Sequence, residues 1–115
     1  MQVTRLQDAQ TYEAPKHVDV RTLRLQGFEA SDSTGFWVGI THFLPGGGAE
    51  MDATPLEKVY IVISGEVTVT TQDGDTTLTT LDSCWLAPGE ARSVENRTNA
   101  PASMLVVMPY PPSAS

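Results

Sequence analysis

Residues 58–71, KVYIVISGEVTVTT, are β-branched or aromatic at most positions and alternate with the period of two that a half-buried strand requires. Gly65 interrupts the run as a bulge or bend would. The next four residues, QDGD at 72–75, put Asp73-Gly74 at the centre of a hairpin turn, and TTLTTL at 76–81 is expected to return antiparallel. Outward from this hairpin the same texture continues. VDVRTLRL at 18–25 alternates Val18, Val20 and Thr22 against Asp19, Arg21 and Leu23. FWVGITHFL at 36–44 is strand material that ends at Pro45-Gly46-Gly47-Gly48, a run no strand is expected to continue through. SCWLAPGE, RSVEN and MLVVMP supply further strands, punctuated by Pro88-Gly89 and Asn99-Ala100-Pro101. The only helical candidate, TRLQDAQTYEA at 4–14, is short enough to be a single turn or an arm. About seven to nine short strands between Gly/Pro turns predict an all-β sandwich or barrel.

Length and charge narrow the functional classes. The chain has 115 residues, 7 Lys+Arg, 14 Asp+Glu and a formal charge of -7, so it is read as one domain over 1–115 whose site is built inside the scaffold. Residues 1–25 form an N-terminal arm and first strand, 36–108 the core, and 109–115 a loosely ordered tail. Scattered basic residues in an acidic chain argue against nucleic acid as a partner. No apolar run approaches the roughly 20 residues of a membrane span, and MQVTRLQDAQ lacks a signal-peptide layout, so a cytoplasmic location is expected. With only Cys84 present there is no disulfide framework, and in SCWL it reads as a small buried hydrophobe and not a nucleophile.

The segment PGGGAEMDATPLEKVYIVISGEVTV at 45–69 resembles the first motif of the cupin family, a superfamily of small β-barrels or jelly rolls. That motif runs Gly, five residues, His-x-His, three or four residues, Glu, six residues, Gly; here Gly46, Asp52, Thr54, Lys58 and Gly65 occupy the five positions. In the second motif Asn96 is retained, Arg92 stands at the His, Gly89 at the Gly, Ala87 at the Pro and Leu81 at the first Gly. The resemblance covers about residues 36–108 and implies a single-domain cupin barrel. In metal-binding cupins the two His, the Glu and the second-motif His are the ligands. Lysine and arginine offer only donors and carry positive charge, so at those positions they are expected to abolish the usual metal site, and no cofactor is expected. A relocated metal site would have to draw on His42, Glu50, Asp52, Glu57 or His17.

A barrel that turns Lys58 and Arg92 inward must satisfy two charges whose desolvation costs several kcal/mol. Either carboxylates such as Asp52 and Glu57 pair with them, or an anionic ligand does, and a guanidinium fork is shaped to hold a carboxylate. Burial and the Arg92 charge both favour a neutral Lys58 amine, whereas Asp52 pushes the other way. Alternation places Tyr60 and Val62 on the face of Lys58, so Tyr60 supplies either a phenol to the site or a core aromatic. His42 shares its strand face with Ile40 and Val38; it joins the site as acid/base or ligand if that face turns inward, and is otherwise a core or rim histidine. Trp37, Trp85, Phe43, Met104, Val106 and Met108 read as core, some of them lining any cavity. Asn96 is expected to brace the turn that follows it.

Three functions follow. The first is a metal-independent enzyme, an isomerase, lyase or decarboxylase acting on a small carboxylate or oxo acid through an enolate. Arg92 would hold the anion, Lys58 would act as acid/base or form an imine, and Tyr60, Asp52 or His42 would assist. The second is a non-catalytic module that binds a small anion. The third is a structural protein in which Lys58 and Arg92 are consumed by ion pairs with Asp52 and Glu57. Small cupins resemble one another in pairing through an N-terminal strand, which implies a homodimer.

Overall fold

The computed structural model describes residues 1–112. One 3₁₀ turn, Leu6–Asp8, precedes eight strands: β1 His17–Gln26, β2 Trp37–Asp52, β3 Lys58–Ser64, β4 Val67–Thr71, β5 Gly74–Leu78, β6 Ser83–Leu86, β7 Arg92–Glu95 and β8 Ala102–Met108. They hydrogen-bond in the order β5-β4-β7-β2-β8-β3-β6, with β1 added along β2. The sheet curls into an almost closed barrel with β5 and β6 at the ends of its strand order, the all-β class expected from the alternation and the jelly roll that the family resemblance implies. Among the described residues no helix is long and apolar enough to cross a membrane.

The 58–71 stretch splits at Gly65. Lys58, Tyr60 and Val62 are buried along β3, and Val67 to Val69 along β4, because each strand turns one face inward. Gly65 is not a bulge within one strand. Its φ of +77 ends β3, and the chain crosses to β4, which pairs with β5 and β7 and not with β3. The QDGD hairpin forms as expected between β4 and β5.

The glycine run reads differently in three dimensions. β2 continues through Pro45–Gly48 as one 16-residue strand. Its first half, Trp37 to Phe43, pairs with β8, and its second half, Gly48 to Asp52, pairs with β7. The glycines bend the strand between partners, and they permit close backbone approach: a Cβ on Gly47 would overlap the carbonyl oxygen of Asp19, and one on Gly48 that of Val94. The expected alternation of β1 is also broken. Asp19 takes φ +51 at a register shift between Val18 and Val20, which leaves Val18 exposed while Val20 packs on the core.

Phe43, Tyr60, Val62, Val67, Val94 and Met104 anchor the core. Each large apolar side chain buried there contributes about 1.5–3 kcal/mol. Asn96 is fully buried at 0% exposure and does brace its turn: Nδ2 donates to the Ala100 carbonyl at 2.8 Å, while Oδ1 accepts from the Thr98 amide at 3.0 Å. Gly46, Gly65 and Gly89 all have positive φ, and so does Leu81, at φ +70. The tail is tied down as far as it is described: Tyr110 donates to the Ser33 carbonyl at 2.5 Å and packs edge-on against Phe28. The expectation for 113–115 lies outside the described residues.

Candidate functional site

The inward faces of β2, β3, β7 and β8 enclose a cavity of about 350 Å3, within the range of small-molecule sites. Asp52, Thr54, Lys58 and Arg92, found by motif spacing alone, all line it, as does Tyr60. The cross-strand ladder explains the convergence: Asp52 is directly opposite Arg92 between β2 and β7, while Lys58 and Tyr60 are two residues apart on the inward face of β3. Trp37, Thr41, Phe43, Met104, Val106 and Met108 supply most of the remaining wall.

Arg92 is 7% exposed and Lys58 4%. The Arg92 Nε donates to the Tyr60 hydroxyl oxygen at 2.6 Å, and Nη1 donates to the Glu50 carbonyl at 3.2 Å. Neither cation has a carboxylate within ion-pair distance among the described residues. The pairing with Asp52 and Glu57 that the structural alternative requires does not form. Asp52 lies 3.4 Å from Lys16, and Glu57, just ahead of β3, is outside the cavity lining and accepts from the Trp85 indole at 2.9 Å. Trp85 is accordingly exposed and outside the cavity.

Burial is the first reason that Lys58 is lowered from 10.5 to about 8; the Arg92 charge adds to it and Asp52 opposes it. The balance left open by the sequence thus falls on the side of a readily transferable proton. Asp52 is held below the usual carboxylate range, first by the Ala53 amide and then by Lys16. Burial raises the Tyr60 phenol, with Arg92 pulling it back, so its proton remains available to donate. Cys84 packs behind Tyr60 and burial raises its thiol, in keeping with a small hydrophobe.

His42 does not reach the cavity. Thr41 and Phe43 take the inward positions of β2, so His42 falls on the opposite face, where Nδ1 lies 2.7 Å from the Ser103 hydroxyl. Two further sources supply what the strand pattern did not: the N-terminal arm gives Tyr12 and Glu13, and the first residue of β1 gives His17, which the sequence offered only as a ligand for a relocated metal site. His17 Nδ1 sits 2.8 Å from the Pro15 carbonyl, which only accepts, so the proton is on Nδ1 and Nε2 keeps a free lone pair. Burial lowers its pKa and keeps the ring neutral. No alternation marks these arm residues. Gly39, a lone glycine inside a strand, was the one available sign that another chain segment closes in.

The donor set does not fit a divalent cation. Two of the four positions that would surround it are buried cations, and one of these already donates to Tyr60. Among the described residues no group of three or more His, Cys, Asp or Glu is placed to hold a metal ion.

Comparison with known proteins adds three findings. The profile of the family described as "Cupin domain" matches residues 39–108. A protein of Mycobacterium tuberculosis (strain ATCC 25618 / H37Rv) named beta-D-galactosidase Rv1717 is 47% identical over 111 residues, 96% of each chain. Among solved structures, the polyketide cyclase RemF of Streptomyces resistomycificus superposes with a TM-score of 0.84 at 15% identity, over 95% of this chain and 79% of that one. A Cupin 2 conserved barrel domain protein of Salinispora arenicola superposes at 0.78 with 18% identity, over 96% and 89%.

Proposed function

The chain belongs to the cupin family, and from that premise we propose that it is a glycoside hydrolase cleaving β-D-galactosides in the barrel cavity. In this reading the Lys58 ammonium is the proton donor and the Asp52 carboxylate activates water. The observation that carries it is the pairing, in one cavity, of an ammonium lowered to about 8 with a carboxylate held ionised. Glycosidic cleavage needs a proton donor at the leaving oxygen and a carboxylate at the anomeric carbon. The likeness to a full-length relative named for β-D-galactosidase activity supports the choice of substrate.

Water adds to the anomeric carbon and gives a proton to Asp52; the bond from that carbon to the leaving oxygen breaks, and that oxygen takes a proton from Lys58. Arg92, Tyr60 and His17 offer polar partners for ring hydroxyls, and the Met and aromatic wall takes the apolar face of the sugar. No step requires a metal.

Hydrolysis of nitrophenyl and alkyl β-D-galactosides by wild type, K58M and D52N tests the reading. Loss of a general acid or base is expected to cost about 10²–10⁴-fold. K58M should lose more on the alkyl substrate, whose poorer leaving group needs the proton, and activity should survive a chelator. A wild type inert on both substrates, or K58M turning over the alkyl galactoside at the wild-type rate, overturns it.

The two cations without a carboxylate partner favour one second reading: isomerase, lyase or decarboxylase chemistry on a small carboxylate or oxo acid. Arg92 would hold the anion and Lys58, as neutral amine, would act as base or imine former. Borohydride trapping of an oxo acid on Lys58 separates this reading from hydrolysis, and binding without turnover would mark a binding module. The expected homodimer remains part of the proposal; sedimentation velocity tests it.

A further inference from the structure

Tyr12 is the least expected group in the cavity, and the structure holds it there by several independent contacts. The arm is pinned to the outer edge of β1. Thr11 bridges Leu23, the Tyr12 amide donates to the Thr22 carbonyl at 3.1 Å, and the Arg24 amide donates to the Gln10 carbonyl at 2.9 Å. The Thr22 hydroxyl also donates to the Tyr12 carbonyl. The ring is fixed separately. The Arg24 guanidinium stacks 4.0 Å from its centroid, and Trp37 meets it edge-on at 5.7 Å.

The phenol oxygen then occupies the space a side chain at position 39 would fill. A Cβ on Gly39 would lie 2.7 Å from that oxygen and 3.1 Å from Trp37 Cζ3. Position 39 belongs to the same face of β2 as Trp37, Thr41 and Phe43, the face that lines the cavity. It is also level with Tyr60, because Gly39 and Tyr60 both pair with Val106 from opposite sides of β8. The Tyr12 hydroxyl has no hydrogen-bond partner among the described residues, whereas the Tyr60 hydroxyl accepts from Arg92. Burial raises the Tyr12 phenol, the stacked Arg24 charge pulls it part of the way back and the neighbouring Tyr60 adds to the rise, so it keeps its proton.

We infer that Tyr12 is a substrate-binding residue carried into the site by the N-terminal arm, that its hydroxyl bonds a sugar hydroxyl on the rung shared with Tyr60, and that Gly39 is glycine to admit it. This rests on the reading of the cavity as a β-D-galactoside site.

The test uses the full chain, with D-galactose as the binding probe and an alkyl β-D-galactoside as substrate. Tyr12→Phe keeps the ring and its packing, so its melting temperature should match wild type. Its galactose affinity should fall roughly 2- to 13-fold, the worth of one net hydrogen bond, with the loss appearing in KM. Gly39→Ala should lose at least as much by displacing the phenol, and adding Tyr12→Phe to it should cost nothing more. Tyr12→Phe binding and turning over like wild type overturns the assignment alone, whatever Gly39→Ala does to folding. A wild type that neither binds galactose nor cleaves the galactoside overturns the proposed function, and this assignment with it.

Discussion

Replacing Lys58 by methionine should make the protein more stable and less active, and the stability gain should depend on pH in a way that identifies its cause. The ammonium is 4% exposed and has no ion-pair partner among the described residues. Its pKa is about 8 in the folded chain against 10.5 when free. At 1.36 kcal/mol per pH unit, that interval amounts to about 3 kcal/mol of destabilisation. The penalty is complete below pH 8, where folded and unfolded chains both carry the proton. Between 8 and 10.5 the unfolded chain binds the proton that the folded chain has released, so wild-type stability rises with pH. Above 10.5 the penalty is gone. Methionine matches the lysine stem in length and carries no charge, so K58M should exceed wild type by up to about 3 kcal/mol at pH 7. The gap should close by about pH 10.5. Urea titrations of both proteins between pH 6.5 and 10 measure it; subtracting K58M removes every other group that titrates in the window. Parallel curves for the two proteins, or a K58M that is less stable at pH 7, would refute the reasoning from burial.

Three further outcomes are expected. Galactoside hydrolysis should fall as pH rises through about 8, because Lys58 loses the proton it donates, and it should fall again only below the ordinary carboxylate range, where Asp52 protonates; a rate that climbs through pH 8 would instead indicate lysine as base. Asn96→Ala removes a fully buried side chain that makes four hydrogen bonds and should cost about 2–4 kcal/mol in urea unfolding; a loss under 1 kcal/mol would deny it the bracing role. Leu81 stands exposed at φ +70, so Leu81→Gly should raise stability by about 0.5–1 kcal/mol, read as a higher melting temperature; no gain would mean that the leucine side chain offsets its own backbone strain.

The strands were legible because their alternation is local: burial on β3 follows the period of two from Lys58 to Val62, and Tyr60 was reached through it from Lys58, itself found by motif spacing. Arg92 was reached by motif spacing, since RSVE alone is too short to choose a face. Three features were not legible. The meaning of Gly47 and Gly48 lies in the Asp19 and Val94 carbonyls they admit, which are far away in sequence, so a bend in one long strand read as its end. The parity of β2 gave His42 a face but not which face the curl of the sheet would turn inward. The arm has no period at all, and its place is set by hydrogen bonds to β1, so Tyr12 and Glu13 could not be assigned to the cavity.

The charge arrangement also answers an objection to hydrolysis at this site. A glycosyl transition state gains positive charge on the sugar, and a cavity with two buried cations would appear hostile to it. In the proposed reaction Lys58 gives up its charge with its proton as the bond breaks. Counting Asp52, Lys58 and Arg92, the local charge passes from +1 with substrate bound to 0 as Lys58 gives up its proton and the sugar becomes cationic, and it returns to +1 only when water passes its proton to Asp52. Arg92 is already engaged by Tyr60 and the Glu50 carbonyl, and it faces Asp52 across the ladder. The repulsion between Lys58 and Arg92, which helps to depress the lysine in the resting protein, is relieved at the moment of transfer. That difference between ground and transition state is the kind of interaction that raises the rate and not merely the affinity. It also gives a reason for the chain to keep a lysine whose burial costs about 3 kcal/mol: the strain that weakens the fold is the force that expels the proton.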